Sequence, residues 1–367
     1  MAAALGAGAG GLVWLFLKLM EAGMLFFWGF LPGIFAYPFY PVAVCALGGV
    51  AVGICQKKYG AYPEVLETVI EKFKTGGYAY DKLHGIFLCA LVPLIFGGCI
   101  GPEAGLSGVI FGFCTWIGDK LKDDVKDRNK KNDLYIVAAI VGVAVFYLLV
   151  TLFGGGMELH RFGAASFGTG ELLWFIPLIA LGALAGLFYA LTGRLMDLAL
   201  RPAARFPVPK AVAGGLALGI SGVLLPFTMF SGETQMGVIM GTWESVPVSG
   251  LLLLGFLKLV IVNVCIKSGW RGGHIFPLIF SGICIGYAMA AYTGIDGVFA
   301  TAVITAALCG TVMKQPLIVA AVLLLFYPLT FTSIAYICIA AFLGSRTGIR
   351  IIRISGLNND TGGEING

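Results

Sequence analysis

Two short stretches of this 367-residue chain share one skeleton. Gly97-Gly98-Cys99-Ile100-Gly101-Pro102 and Gly272-Gly273-His274-Ile275-Phe276-Pro277 both read Gly-Gly-x-x-x-Pro, and each opens into a long apolar run. A glycine loop feeding a helix leaves the first N–H groups of that helix without intrahelical partners, and the helix dipole puts positive charge at the same end. Such a terminus is an anion site. Glycine lets the backbone approach the ion, while proline in the first turn removes one N–H without breaking the helix. The groups that would touch an anion are the main-chain amides around Gly98, Cys99, Ile100 and Gly101 in one loop, and of His274, Ile275 and Phe276 in the other. Taken singly, either loop reads more readily as helix-packing glycine. The matched pair, one in each half of the chain, points instead to a membrane transport protein built from repeats.

The chemistry of such a site follows from solvation. A dehydrated anion in a membrane is costly, because low dielectric strips its hydration. A full counter-charge would hold it too tightly to let it go. Helix ends offer a gentler field, about 0.3–2 kcal/mol each, and conduction needs moderate binding of that kind. Catalysis is not expected: the chain has no His-Glu-x-x-His, no paired intramembrane aspartates and no activated-serine constellation. The nine cysteines stand singly with no Cys-x-x-Cys spacing, so they read as small buried apolar residues. The three histidines lie far apart, and neither a metal nor a cofactor is expected.

The elements that carry these loops are set by composition. Hydrophobic residues make up 59% of the chain and charged residues 12%, against roughly a quarter charged in a soluble domain. Apolar stretches at 12–37, 134–153, 172–191, 251–266 and 276–292 approach the ~20 residues that a span needs. The chain reads as an all-α polytopic membrane protein whose 54 glycines serve close helix packing and broken helices. No cleavable signal is evident, so the first apolar run is expected to stay as a helix. The net charge of +5 comes mostly from loops at 119–133, 201–210 and 346–353, placed on the cytoplasmic side by positive-inside reasoning. In 119–133 lysines alternate with aspartates, which describes a solvated loop and no nucleic-acid partner.

Along the chain, helices are expected at 10–32, 41–56, 63–74, 83–96, 102–117, 134–153, 171–200, 211–225 and 251–267. The helix at 63–74 is amphipathic and too short to cross a bilayer. Ser231-Gly232-Glu233-Thr234-Gln235 reads as a polar break. The order of break with glutamate, helix, Gly-Gly loop and helix occurs twice, with Glu64 ahead of one loop and Glu233 ahead of the other. This gives a first membrane repeat at 1–205, a second at 206–355, a polar tail at 356–367, and no soluble regulatory domain.

With those breaks in place, the chain resembles the CLC family of chloride channels and proton-coupled chloride transporters. That family marks its ion site with a Gly-Ser-Gly-Ile-Pro loop, a Gly-Arg/Lys-Glu-Gly-Pro loop, a Gly-x-Phe-x-Pro loop and a tyrosine on the last helix. Here Gly60-Ala61-Tyr62-Pro63-Glu64, Gly98-Cys99-Ile100-Gly101-Pro102 and Gly273-His274-Ile275-Phe276-Pro277 stand at the three loops in order. Phe342-Leu343-Gly344-Ser345 matches the stretch ahead of the tyrosine-bearing helix, and the tyrosine position falls near Ile349, with Thr347 close by. The resemblance implies an inverted-topology repeat with broken and half-spanning helices, a homodimer, and passage of chloride or a similar small anion across a bacterial-type inner membrane. It adds Gly60 and Ala61 to the anion-binding set. The family's gating glutamate falls on Ile100, which can neither compete with chloride nor pass a proton. The pathway is therefore expected to be passive, and Ile100→Glu to lower flux at neutral pH and make it acid-activated. The alternative is a proton-coupled antiporter using Glu103, Glu158 or His274. Glu103 has a plainer role open to it, since an acid in the first turn stabilises its own helix. Lys258, Lys267 and Arg271 precede the second Gly-Gly loop and are candidates to line a vestibule, and Lys314 to pair with an acid or snorkel.

Overall fold

Apolar runs bounded by proline and glycine fold here as helices, because away from water only an internal ladder satisfies the backbone. The computed structural model describes residues 2–35, 37–75, 78, 80–122, 128–156 and 160–354. The order begins α1 (Ala2–Met24), a π-helical turn (Leu25–Phe30), α2 (Leu31–Ile34), α3 (Tyr40–Tyr59), α4 (Leu66–Thr75), α5 (Leu83–Ile95), α6 (Glu103–Lys122) and α7 (Arg128–Phe153). It continues with α8 (Thr169–Leu200), α9 (Pro207–Leu224), α10 (Glu233–Thr242), α11 (Val248–Ser268), α12 (Ile275–Thr293), α13 (Gly297–Met313), α14 (Pro316–Leu323) and α15 (Phe331–Ile354). Proline opens α3, α9 and α14 in the first turn, where its missing N–H has no partner to lose. Gly60, at φ +93°, ends α3. The protein is helical and polytopic: among the described residues, six helical stretches are long and apolar enough to cross a membrane.

Several boundaries differ from the sequence reading. α1 starts at Ala2 rather than near residue 10, because Gly6 and Gly10 lie against the backbone of α7 at Ala138 and Gly142. A run of alanine and glycine is thus a packing surface, not a loose lead. The segment expected as a polar break turns helical at Glu233, and α10 runs from there to Thr242. The chain does not break after Phe342–Ser345, since α15 is continuous through it. The half-length helix expected at 63–74 is α4, starting three residues later at Leu66. The tail at 356–367 lies outside the described residues.

The chain divides into two compact units. The first comprises residues 1–158, 196–232 and 261–277. Its α3 and α9 are in backbone contact along a glycine face. Gly49 and Gly53 of α3 meet Val212 and Val208, and Gly215 and Gly219 of α9 meet Cys45 and Val42. Small residues on both helices let the main chains approach, which is how helices associate where lipid supplies no hydrophobic drive.

The second unit comprises residues 159–195, 233–260 and 278–367. α13 is buried along nearly its whole length, with Gly310, Gly344 and Gly348 setting the α13–α15 contact and Gly182 and Gly186 of α8 closing on its other side. Lys258 of α11 is fully buried, its ammonium 4.5 Å from the centre of the Phe280 ring.

Candidate anion site

The two Gly-Gly loops lie within the first unit and are hydrogen-bonded to each other. Gly101 N–H donates to Gly273 O at 2.7 Å, and Gly273 N–H donates to Gly101 O at 2.8 Å. This reciprocal pair sits immediately ahead of α6 and α12, so it holds the two helix N-termini together. One pocket is lined by the first residues of three helices: Val65 and Leu66 at α4, Glu103 and Ala104 at α6, and Gly273, His274 and Ile275 at α12. Three helix starts on one pocket concentrate the positive ends of three dipoles, each equivalent to about half an elementary charge.

A carboxylate already occupies that field. Glu103 Oε1 accepts the Ile275 N–H at 2.7 Å. Both bridging glycines make room for the side chain: a Cβ on Gly273 would overlap the Glu103 carboxyl carbon, and a Cβ on Gly101 would overlap Oε2. The carboxylate of one helix therefore rests on the N-terminus of another. A hydrogen bond to a charged acceptor contributes about 1.5–3 kcal/mol, and an incoming anion would have to replace it.

The remaining residues singled out by sequence fall as follows. Ile100 N–H donates to Gly98 O at 2.8 Å and Gly101 N–H to Gly273 O, so these two amides are committed within the loops. Cys99 is buried, and Phe276 is half-buried in the first turn of α12. His274 lines the pocket. Gly60 and Ala61 do not line it. Pro63–Val65 are not yet helical, so the first loop meets the pocket at Val65 and Leu66, where α4 begins. Ala61 instead offers its carbonyl to Arg271 Nη1 at 3.2 Å. Lys267 is paired with Asp197 at 2.5 Å, and Glu64 with Lys72 at 2.6 Å. Lys314 caps α13 in the left-handed conformation. Thr347 and Ile349 lie within α15. Glu158 lies outside the described residues.

Sequence reasoning passed over Trp270, the residue that wedges the loops in place. Its indole is fully buried and donates to Ala211 O at 2.8 Å. Gly48, Gly98 and Gly215 all lack the Cβ that would press on this ring, at 2.8, 3.2 and 3.0 Å respectively. A large aromatic two residues ahead of a Gly-Gly pair, in a chain rich in isolated glycines, was the available signal.

Ile100 has a packing role that changes the outcome expected of its replacement. It is 0% exposed, and its side chain fills the space above Gly272 and beside Gly98. In Ile100→Glu a carboxylate would enter an apolar site, at a cost on the order of several kcal/mol. The expected result is a melting temperature lower by about 5 °C in detergent, before any effect on gating is read. An unchanged melting temperature would mean that position 100 is wet.

A family profile described as "Voltage gated chloride channel" matches residues 134–348, more than half of the chain. The match begins after the first Gly-Gly loop and includes the second. YfeO of Escherichia fergusonii, a protein named for ion transport, is 25% identical over 351 residues, covering 81% of this chain and 79% of that one. YfeO of Salmonella choleraesuis is 26% identical over 338 residues, covering 81% and 80%. Among solved structures, a CLC-type fluoride/proton antiporter superposes with TM-score 0.67 at 17% identity, covering 94% of each chain. A slow cyanobacterial Cl−/H+ antiporter gives TM-score 0.67 at 16% identity, covering 96% of each. At these identities the structural likeness concerns the fold.

Proposed function

The chain belongs to the voltage gated chloride channel family, and from that premise we propose that it passes chloride or a similar small anion through a pathway that Glu103 guards. Anion transport by a multi-pass membrane protein is the family property. The guard is the finer reading, and one observation carries it: the Glu103 carboxylate on the Ile275 N–H, between the two bridged loops. A carboxylate and a halide compete for the same N-terminal field. Deprotonated, Glu103 holds the position; protonated, it loses its charge and most of its claim on the amide. Flux should then rise as pH falls.

Ile100 alone argues for an unguarded, passive pathway, because it leaves the family's gating position without a carboxylate. Glu103, one helical turn further on, supplies the missing group from a different register. Proton coupling follows if the proton that releases Glu103 crosses with each turnover, and His274, lining the same pocket, is the nearest titratable companion named by the sequence. We place the protein in the cell (inner) membrane as a homodimer with one pathway per subunit, and its two Gly-Gly loops in a pair of repeats of inverted topology.

The test is anion efflux from liposomes under a chloride gradient, measured from pH 4 to pH 8 with proton movement recorded beside it. Efflux rising toward acid pH is the expected outcome. Efflux independent of pH across that range would remove the guard. Uphill proton movement in fixed ratio to the anion would assign antiport, and its absence would leave a gated channel.

A further inference from the structure

The antiparallel packing of α3 on α9 gathers cations that lie far apart in the chain. Gly49 meets Val212 and Gly53 meets Val208, so four residues forward on α3 are four residues back along the α9 segment. In that register Lys57 comes level with Ala204, between Arg201 and Arg205. Lys57, Lys58, Arg201 and Arg205 are all exposed, and all belong to the first unit. Residues 54–63 and 198–210 contain no aspartate or glutamate, so neither segment supplies an acid to neutralise these charges. Asp197, just ahead of the second segment, is held by Lys267 at 2.5 Å. Apolar side chains stand directly beside the cations. Ile54, one turn before Lys58, Leu198, one turn before Arg201, and Phe206, next to Arg205, are exposed as well.

We infer that this end of the α3–α9 seam is a binding site for an anionic phospholipid. Two features of the same surface select that class of ligand. Cations gathered at the end of a seam between spans suit a phosphodiester headgroup, and an arginine guanidinium can hold two of its oxygens at once. Ile54, Leu198 and Phe206 lie on the span side of the cations, where an acyl chain would run. A free phosphate would leave those three side chains unused. A zwitterionic headgroup fits poorly, since its own ammonium would meet four like charges. Positive-inside reasoning assigns this end of α3 and α9 to the cytoplasm, where the facing leaflet carries anionic lipid. The site is distinct from the anion pocket, which none of these residues lines.

The test is native mass spectrometry of the delipidated full-length protein in nonionic detergent, titrated with phosphatidylglycerol or with phosphatidylcholine. The expected result is one phosphatidylglycerol per chain held in preference to phosphatidylcholine, with retention falling as ammonium acetate is raised. Lys57→Gln with Lys58→Gln, and separately Arg201→Gln with Arg205→Gln, should each weaken that binding about tenfold. A control that loses two exposed charges elsewhere, Lys82→Gln with Arg346→Gln, should bind as wild type does. Each variant must match wild type in gel-filtration elution and melting temperature; alanine at the same positions replaces any glutamine pair that does not. Glycerol 3-phosphate in large excess should not displace the lipid. Equal affinity of wild type for the two lipids overturns the site, and so does equal weakening in the control. Displacement by glycerol 3-phosphate also overturns it, because the surface would then be reading a soluble phosphate ester.

Discussion

Glu103→Gln is expected to raise anion flux about tenfold at neutral pH and to flatten its pH dependence. One hydrogen bond, from the Ile275 N–H to Glu103, sets that factor. With the carboxylate in place, the Ile275 amide donates to a charged acceptor, an interaction of about 1.5–3 kcal/mol, against about 0.5–1.5 kcal/mol for a neutral one. Glutamine keeps the shape and the acceptor oxygen but removes the charge, so the difference is about 1.4 kcal/mol, a factor of ten. Because glutamine does not titrate, lowering the pH should no longer increase flux. The measurement is chloride efflux from liposomes at pH 4.5 and pH 7.5 for both proteins. If Glu103→Gln kept the wild-type ratio between those two values, the proton sensor would be some other group. A simple helix-stabilising role for Glu103 would show instead as a lower melting temperature with wild-type flux. The observed acceptor distance of 2.7 Å to a different helix, not to its own first turn, is what separates the two roles.

How much of this was readable beforehand depends on which residues are asked about. The pairing of Gly97–Pro102 with Gly272–Pro277 was legible because both features that make an anion site, freed amides and close backbone approach, are written as residue types at fixed spacing. The identity of the guard was not. A comparison of loops assigns it by position and stops at Ile100, whereas the field at a helix N-terminus can be reached from any residue of a neighbouring first turn. Glu103 reaches it because the Gly101–Gly273 bridge draws α6 and α12 together. No local pattern encodes that contact between residues so far apart in the chain. The same limit applies to α1, where Ala2–Gly11 looks weakly structured until its glycines meet α7. Trp270 differs: its role was within reach, since three glycines and one indole had to be reconciled somewhere in a close-packed interior.

Gly273→Ala should open the same pathway while leaving the Glu103 carboxylate chemically intact. The added methyl would overlap the Glu103 carboxyl carbon, and the three nearest atoms to it all belong to that side chain. The far end of a glutamate can swing aside at the cost of a rotamer change, whereas the bridged backbones cannot. Gly273 does not have a positive φ, so alanine meets no backbone penalty there. The methyl therefore evicts Glu103 from the Ile275 amide and raises flux at neutral pH by about the tenfold estimated for loss of the charged hydrogen bond. A double-mutant cycle isolates the cause. In a Glu103→Ala background the methyl has nothing to displace, so Gly273→Ala should then change flux less than twofold. Equal effects in both backgrounds would mean that the methyl acts on the loop itself and that the carboxylate is a bystander. Loss of flux in the Gly273→Ala protein, restored by Glu103→Ala, would reverse the sign of the guard: the displaced side chain would then be blocking the pathway from its new position, and the resting carboxylate would be the open state.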